Sequence, residues 1–116
     1  MGERDRAILL RIKKYCEDIG IFIDRFGENY DVFTTDRAYF NAVSMCVFQI
    51  GELSGKLSED YRDETSDQIP WQDIKGMRNI VAHDYGSIDE ELLWETVIED
   101  IPALRRFCTA QLDSFR

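Results

Sequence analysis

From Ile8 onward the apolar side chains fall at Ile8, Ile12, Tyr15, Ile19, Phe22 and Phe26, in alternating steps of four and three. That spacing is the stripe of a long amphipathic helix and predicts a first helix over about residues 3 to 26. Gly20 inside it costs roughly 1 kcal/mol against alanine, a loss that packing along the stripe absorbs. Gly27, Glu28 and Asn29 separate Ile21–Phe26 from Tyr30–Thr35. A hairpin would use such an interruption, but neither arm alternates cleanly, so the helix is kept and a turn is placed at about 27 to 32.

A second stripe at Phe40, Val43, Val47, Ile50 and Leu57, widened by Met45, Cys46, Phe48 and Leu53, predicts a second helix buried on more than one side. Asp36 or a preceding threonine is its expected N-cap. Pro70 suits the first turn of a third helix over about 70 to 84, where its missing N–H is not needed. Ile74, Met77 and Val81 mark the inner face of that helix, and Gly86 its C-terminal stop. Ser87 with Glu90 forms a capping box for a fourth helix, whose stripe is Leu93, Val97, Ile101, Leu104, Cys108 and Leu112. Pro102 is expected to kink it, because proline removes the hydrogen bond to the Ile98 carbonyl and clashes with that turn. Four helices joined by short loops predict an all-α fold, an antiparallel, up-and-down four-helix bundle. The length of 116 residues with 44% apolar side chains predicts one domain over 1–116. Trp71 and Trp94 lie among apolar residues at helical spacing and are assigned to core or interface.

Charge changes this picture only locally. The chain has 23 acidic against 14 basic residues, a formal net charge of -9, which argues against diffuse binding to phosphate backbones. The excess is concentrated. Ser58–Gln68 carries -4 and Asp89–Asp100 carries -6, leaving +1 for the rest. Both runs are expected to be a solvated loop and a solvated helix face. With one histidine, and with Cys16, Cys46 and Cys108 lacking CxxC spacing, no metal site or dithiol motif is expected, and no cofactor is called for. The odd, scattered cysteines suggest a reducing compartment. The apolar run Ala7–Leu10, flanked by Arg6 and Arg11, is too short for a signal peptide or membrane span, so a cytoplasmic location is expected.

Polar functional groups concentrate at the end of the third helix, in the run Trp71 to Gly86. Arg78, Asn79, His83 and Tyr85 there read R-N-x-x-x-H-x-Y. This resembles the Arg-x(4 to 6)-His motif of the HEPN superfamily. Ile50-Gly51-Glu52 on the second helix, together with the Trp71–Gly86 run, resembles the HepT-like toxin family within it. The resemblance spans most of the chain. It implies a HEPN-like bundle and a homodimeric, metal-independent endoribonuclease toxin of a type VII-like system. The implied partner is a minimal nucleotidyltransferase antitoxin, which silences the toxin by placing AMP on Tyr85.

Cleaving RNA through attack of a 2'-OH on the adjacent phosphorus needs a base, an acid and positive charge on the phosphoryl oxygens. His83 can serve in either proton-transfer role near neutrality, and Arg78 can hold phosphoryl oxygens through its planar fork. Asn79, four residues before His83, shares its helix face and can orient the imidazole or bind phosphate. Arg78 and His83 are about 140° apart around a helix, so their convergence needs a frayed end or a second chain. A twofold dimer would bring two Arg78 and two His83 into one cleft. The plainer alternative gives His83 a helix-dipole role and pairs Arg78 with Glu52 or Asp84, both of which are carried as supporting residues. A catalytically inactive module that partners a nucleotidyltransferase is the second functional reading.

Overall fold

The computed structural model describes residues 1–82 and 88–114. Every regular element among them is helical: α1 (Glu3–Phe26), α2 (Tyr30–Thr35), α3 (Arg37–Lys56), α4 (Glu59–Glu64), α5 (Trp71–Ala82), α6 (Glu90–Glu95) and α7 (Ile101–Ser114). A π-helical turn, Thr96–Asp100, joins α6 to α7 without a break. The long helices lie where the apolar stripes place them. α3 packs against both α1 and α5, and α7 against α1, so the second stripe is buried on more than one side.

The core forms one continuous cluster, with Leu9, Ile12 and Ile19 of α1, Val43, Val47 and Ile50 of α3, and Leu93, Val97 and Leu104 of the last helical run buried within it. Met45 departs from the sequence reading. It is 57% exposed, because two residues from both Val43 and Val47 it turns well away from their face. Cys16, Cys46 and Cys108 are buried free thiols. Burial pushes Cys46 up to about 11 and Cys108 up to about 12, so neither carries appreciable thiolate at neutral pH.

Two short helices fill segments expected to be turn and loop. After α1, Gly27 takes φ 104°, a conformation glycine adopts at little cost. The Asn29 side chain then caps α2 by accepting from the Val32 N–H at 3.0 Å. Asp36 ends α2 and caps α3, accepting from Ala38 N and Tyr39 N. The reversal is pinned from inside, since the buried Tyr39 hydroxyl donates to the Gly27 carbonyl at 3.0 Å. Tyr39 also stacks on Phe26 at 4.8 Å, and Phe33 lies between Tyr39 and Trp94.

The acidic stretch after α3 is likewise ordered as helix. Ser58 donates its N–H and hydroxyl to the two oxygens of buried Asp5, at 2.8 and 2.6 Å, and accepts from Tyr61 N to cap α4. Tyr61 reaches Gln111 of α7 through its hydroxyl at 2.7 Å. The acids Glu59, Asp60, Asp63, Glu64 and Asp67 remain solvent-exposed, as a charged helix face should. The first four sit on a helix rather than a loop, with Asp67 in the turn that follows, because the serine cap and two inward residues, Tyr61 and Thr65, fix this segment.

At the start of α6 the described cap is Asp89, which accepts from Leu92 N at 3.0 Å. It takes the place assigned to Ser87 in the expected capping box, because the helix begins two residues later. Ser87 and the expected stop at Gly86 lie outside the described residues. Ahead of Pro102 the backbone widens: Ile101 N–H bonds to the Thr96 carbonyl, five residues back. The ring that interrupts the ladder is thus met by a change of hydrogen-bond register one residue earlier. Among the described residues no helix is long and apolar enough to cross a membrane.

Candidate active site

α5 is the element that carries the motif, and its start is held firmly. The Pro70 carbonyl accepts from Asp73 N and Ile74 N at 3.0 and 3.1 Å, so the proline sits at the cap and α5 begins at Trp71. The Trp71 indole N–H donates to Thr65 Oγ1 at 2.8 Å, and its ring meets Phe107 edge-on at 5.7 Å. Ile74, Met77 and Val81 are buried. Gln72, Lys75 and Asn79 are left on the exposed side, with Arg78 half-buried between the two faces.

Glycine sets how closely α5 approaches α3. A Cβ at Gly51 would lie 2.8 Å from Arg78 N and 3.0 Å from Arg78 Cβ, closer than side chains tolerate, so only glycine lets the two backbones meet here. That contact places Arg78 over the outer edge of α3. There its Nε donates to Glu52 Oε1 in an ion pair, and its guanidinium lies 5.5 Å from the centroid of the Phe48 ring. Phe48 and Glu52 are four residues apart and share a face of α3. One helix therefore supplies a ring, a carboxylate and a close backbone contact to a single arginine. Among the described residues the pairing with Glu52 engages Nε, and the two Nη groups are the donors with which a guanidinium grips an anion.

Beside this arginine runs an open groove of about 490 Å³ lined by Glu52, Gln72, Lys75, Gly76, Arg78 and Asn79. Among the described residues its charged groups are one carboxylate and two cations, a local positive excess in an acidic chain. The structure thus brings together Glu52, Arg78 and Asn79 of the candidate residues. His83, Asp84 and Tyr85 follow directly after the end of α5 and lie outside the described residues. Lys75 was not read as a site residue from the sequence, and Phe48 was read only as part of the apolar stripe. The available signal was the pair Gly51 and Gly55, small residues four apart on one helix, which marks where a neighbouring helix can come close.

Comparison with known proteins gives a consistent result. Residues 12–110 match the family model described as "Ribonuclease HepT-like". The chain is 33% identical over 107 residues to "Putative RNase MJ1380" of Methanocaldococcus jannaschii, covering 91% of this chain and 95% of that protein. It is 30% identical to "Putative RNase TTE0752" of Caldanaerobacter subterraneus subsp. tengcongensis, over 87% of this chain and 88% of the relative. With "Probable ribonuclease HepT" of Thermococcus cleftensis it shares 34% identity over 80% of this chain and 88% of that one. No solved structure gives a significant match.

Proposed function

The chain belongs to the HepT-like ribonuclease family, and from that premise we propose that it is a metal-independent endoribonuclease acting through Arg78, Asn79 and His83 at a homodimer cleft. The observation that carries this reading is the tethered arginine. Arg78 is held by Glu52 and Phe48 at the edge of a groove that also holds Asn79, four residues ahead of the single histidine. A guanidinium fixed in this way meets a phosphoryl group with little further ordering, which is what stabilising a developing phosphorane charge requires.

In the proposed reaction the substrate 2'-OH loses its proton to one imidazole and its oxygen bonds to the adjacent phosphorus. The P–O5' bond breaks, and the leaving 5'-oxygen takes a proton from a second imidazole. The products are a 2',3'-cyclic phosphate and a free 5'-hydroxyl. The chain has one histidine, so the second proton carrier is His83 of the partner copy, and the dimer is part of the mechanism. Asn79 orients His83 or contacts phosphate. Asp84, next to His83 in the sequence, is assigned as a supporting acid, and Glu52 positions Arg78.

In the same proposal the enzyme is a toxin of a type VII-like pair. Its antitoxin is a minimal nucleotidyltransferase that transfers AMP from ATP to the Tyr85 hydroxyl: the phenol oxygen, losing its proton, bonds to the α-phosphorus and pyrophosphate leaves. An AMP two residues from His83 would block the cleft with bulk and negative charge.

The deciding experiment is RNA cleavage by purified protein in EDTA. The parent is expected to cut and leave cyclic phosphate ends. His83→Ala, folded as judged by circular dichroism, is expected to lose about 10² to 10⁴ in rate, the usual share of a general acid or base. Cleavage by His83→Ala at the parent rate would overturn the mechanism. A folded parent that cuts no RNA, and whose expression leaves growth unaffected, would favour the inactive partner module.

A further inference from the structure

Beyond Arg78, the groove contains a second cation, Lys75, whose stem packs against a glycine of α3. Lys75 lies three residues before Arg78 on α5, one turn back and on the same side. A Cβ at Gly55 would lie 3.4 Å from Lys75 Cε, 3.6 Å from Cγ and 3.7 Å from Cδ. The lysine stem therefore lies along the face of α3 that Gly55 leaves open, just as the Arg78 backbone lies against Gly51. Two glycines four apart on α3 seat two cations three apart on α5. Lys75 is exposed, and among the described residues its ammonium has no carboxylate within ion-pairing distance. Arg78, in contrast, is already paired with Glu52.

We propose that Lys75 is a second phosphate-binding residue, taking the RNA phosphate next to the one held by Arg78; this rests on the ribonuclease reading above. The axial step from residue 75 to 78 is about 4.5 Å, so the two cations stand one turn apart and side by side along the groove. The path ends at Lys75. The adjoining cavity, of about 520 Å³, shares Gln72 and Lys75 with the groove, but beyond them it is lined by Glu59, Asp63 and Asp73 against Arg62. Those carboxylates repel further phosphate, so the strand has one flanking contact on this side and then leaves the surface. Lys75 touches no reacting atom and binds ground state and transition state alike, so it acts on affinity and not on the chemical step.

The test uses a single-stranded oligoribonucleotide titrated against the full chain carrying His83→Ala, over a series of KCl concentrations. Adding Lys75→Ala is expected to weaken binding severalfold at low salt and to lower the slope of log affinity against log salt by about 0.7, the share of one phosphate contact on a single strand. Lys75→Arg is expected to keep the slope. In the active chain Lys75→Ala is expected to raise KM and leave kcat unchanged. An unchanged slope and KM in Lys75→Ala would overturn the assignment. So would an equal loss from Lys14→Ala, an exposed lysine on α1. If the active chain cuts the oligoribonucleotide and Lys75→Ala behaves as the parent, this inference alone falls. If the chain neither binds nor cuts it, the ribonuclease reading falls as well.

Discussion

Arg78 is held by three contacts of different kinds: a carboxylate on Nε, an aromatic face beside the guanidinium, and a helix backbone close against its own. None is strong alone. An ion pair this exposed contributes about 1 kcal/mol or less, and a cation over a ring at an exposed site about 0.5–1 kcal/mol. Their joint effect is to reduce the rotamers open to a long side chain, which is what a site needs from it. Lysine cannot substitute, because it has no Nε–H and no planar fork. Arg78→Lys is therefore expected to melt close to the parent and to lose about 10²-fold in kcat for RNA cleavage, the usual cost of one lost transition-state donor. Parallel melting curves and single-turnover cleavage check both halves. The Arg78–Glu52 pairing was legible in the sequence as one of two candidates, but whether Glu52 reaches the arginine depends on how α5 is rotated against α3, which only the structure gives. The other candidate, Asp84, lies outside the described residues. Lys75 escaped notice because a lysine on an exposed helix face looks like any solvated charge until its neighbour is known to be Gly55.

At the scale of elements, the seam between α3 and α5 decides where the motif sits. A methyl group at position 51 would fall within 2.8 Å of the Arg78 backbone nitrogen, and backbone cannot yield as a flexible side chain can. Gly51→Ala is expected to destabilise the fold by about 1–3 kcal/mol, the range for overpacked contacts, and to impair RNA cleavage beyond that loss because α5 moves with Arg78. Gly55→Ala meets only the side chain of Lys75 at ordinary contact distance and is expected to be much milder. Urea melts of the two variants provide the comparison. The four long helical runs were legible because their stripes repeat over many turns. α2 and α4 were not, since six residues carry too little periodicity and these helices depend on the caps Asn29 and Ser58. The register change before Pro102 was also beyond the sequence. Proline announces that the ladder must break, but not whether the chain answers with a bend or a wider turn.

For the molecule as a whole, the acidic excess falls mostly on exposed faces, and even there crowding has a cost. Asp100, exposed in the π turn, is held above its ordinary 3.8 by the partial desolvation of its carboxyl, reinforced by Glu95 and by Asp73 of α5. A carboxyl whose folded pKa is raised above its unfolded value takes stability away as pH rises through the folded pKa, and the penalty disappears below the unfolded pKa. Asp100→Asn is thus expected to raise the melting temperature at pH 7. The gain should shrink on acidification and vanish below about pH 3.8. Thermal melts of both proteins across that range check the sign, and an unchanged difference from pH 7 to pH 3 would refute it.

The two tryptophans have a practical consequence. Trp71 is sealed between Thr65 and Phe107 where α4, α5 and α7 meet, while Trp94 lies against Phe33, with Tyr30 and Tyr39 near it. The chain therefore has two tryptophan fluorophores in separate seams. With Trp94 replaced by phenylalanine, tryptophan emission, excited selectively beyond the tyrosine band, would come from the first residue of α5 alone, next to Gln72 of the groove. Opening of that seam could then be followed optically without attaching a dye.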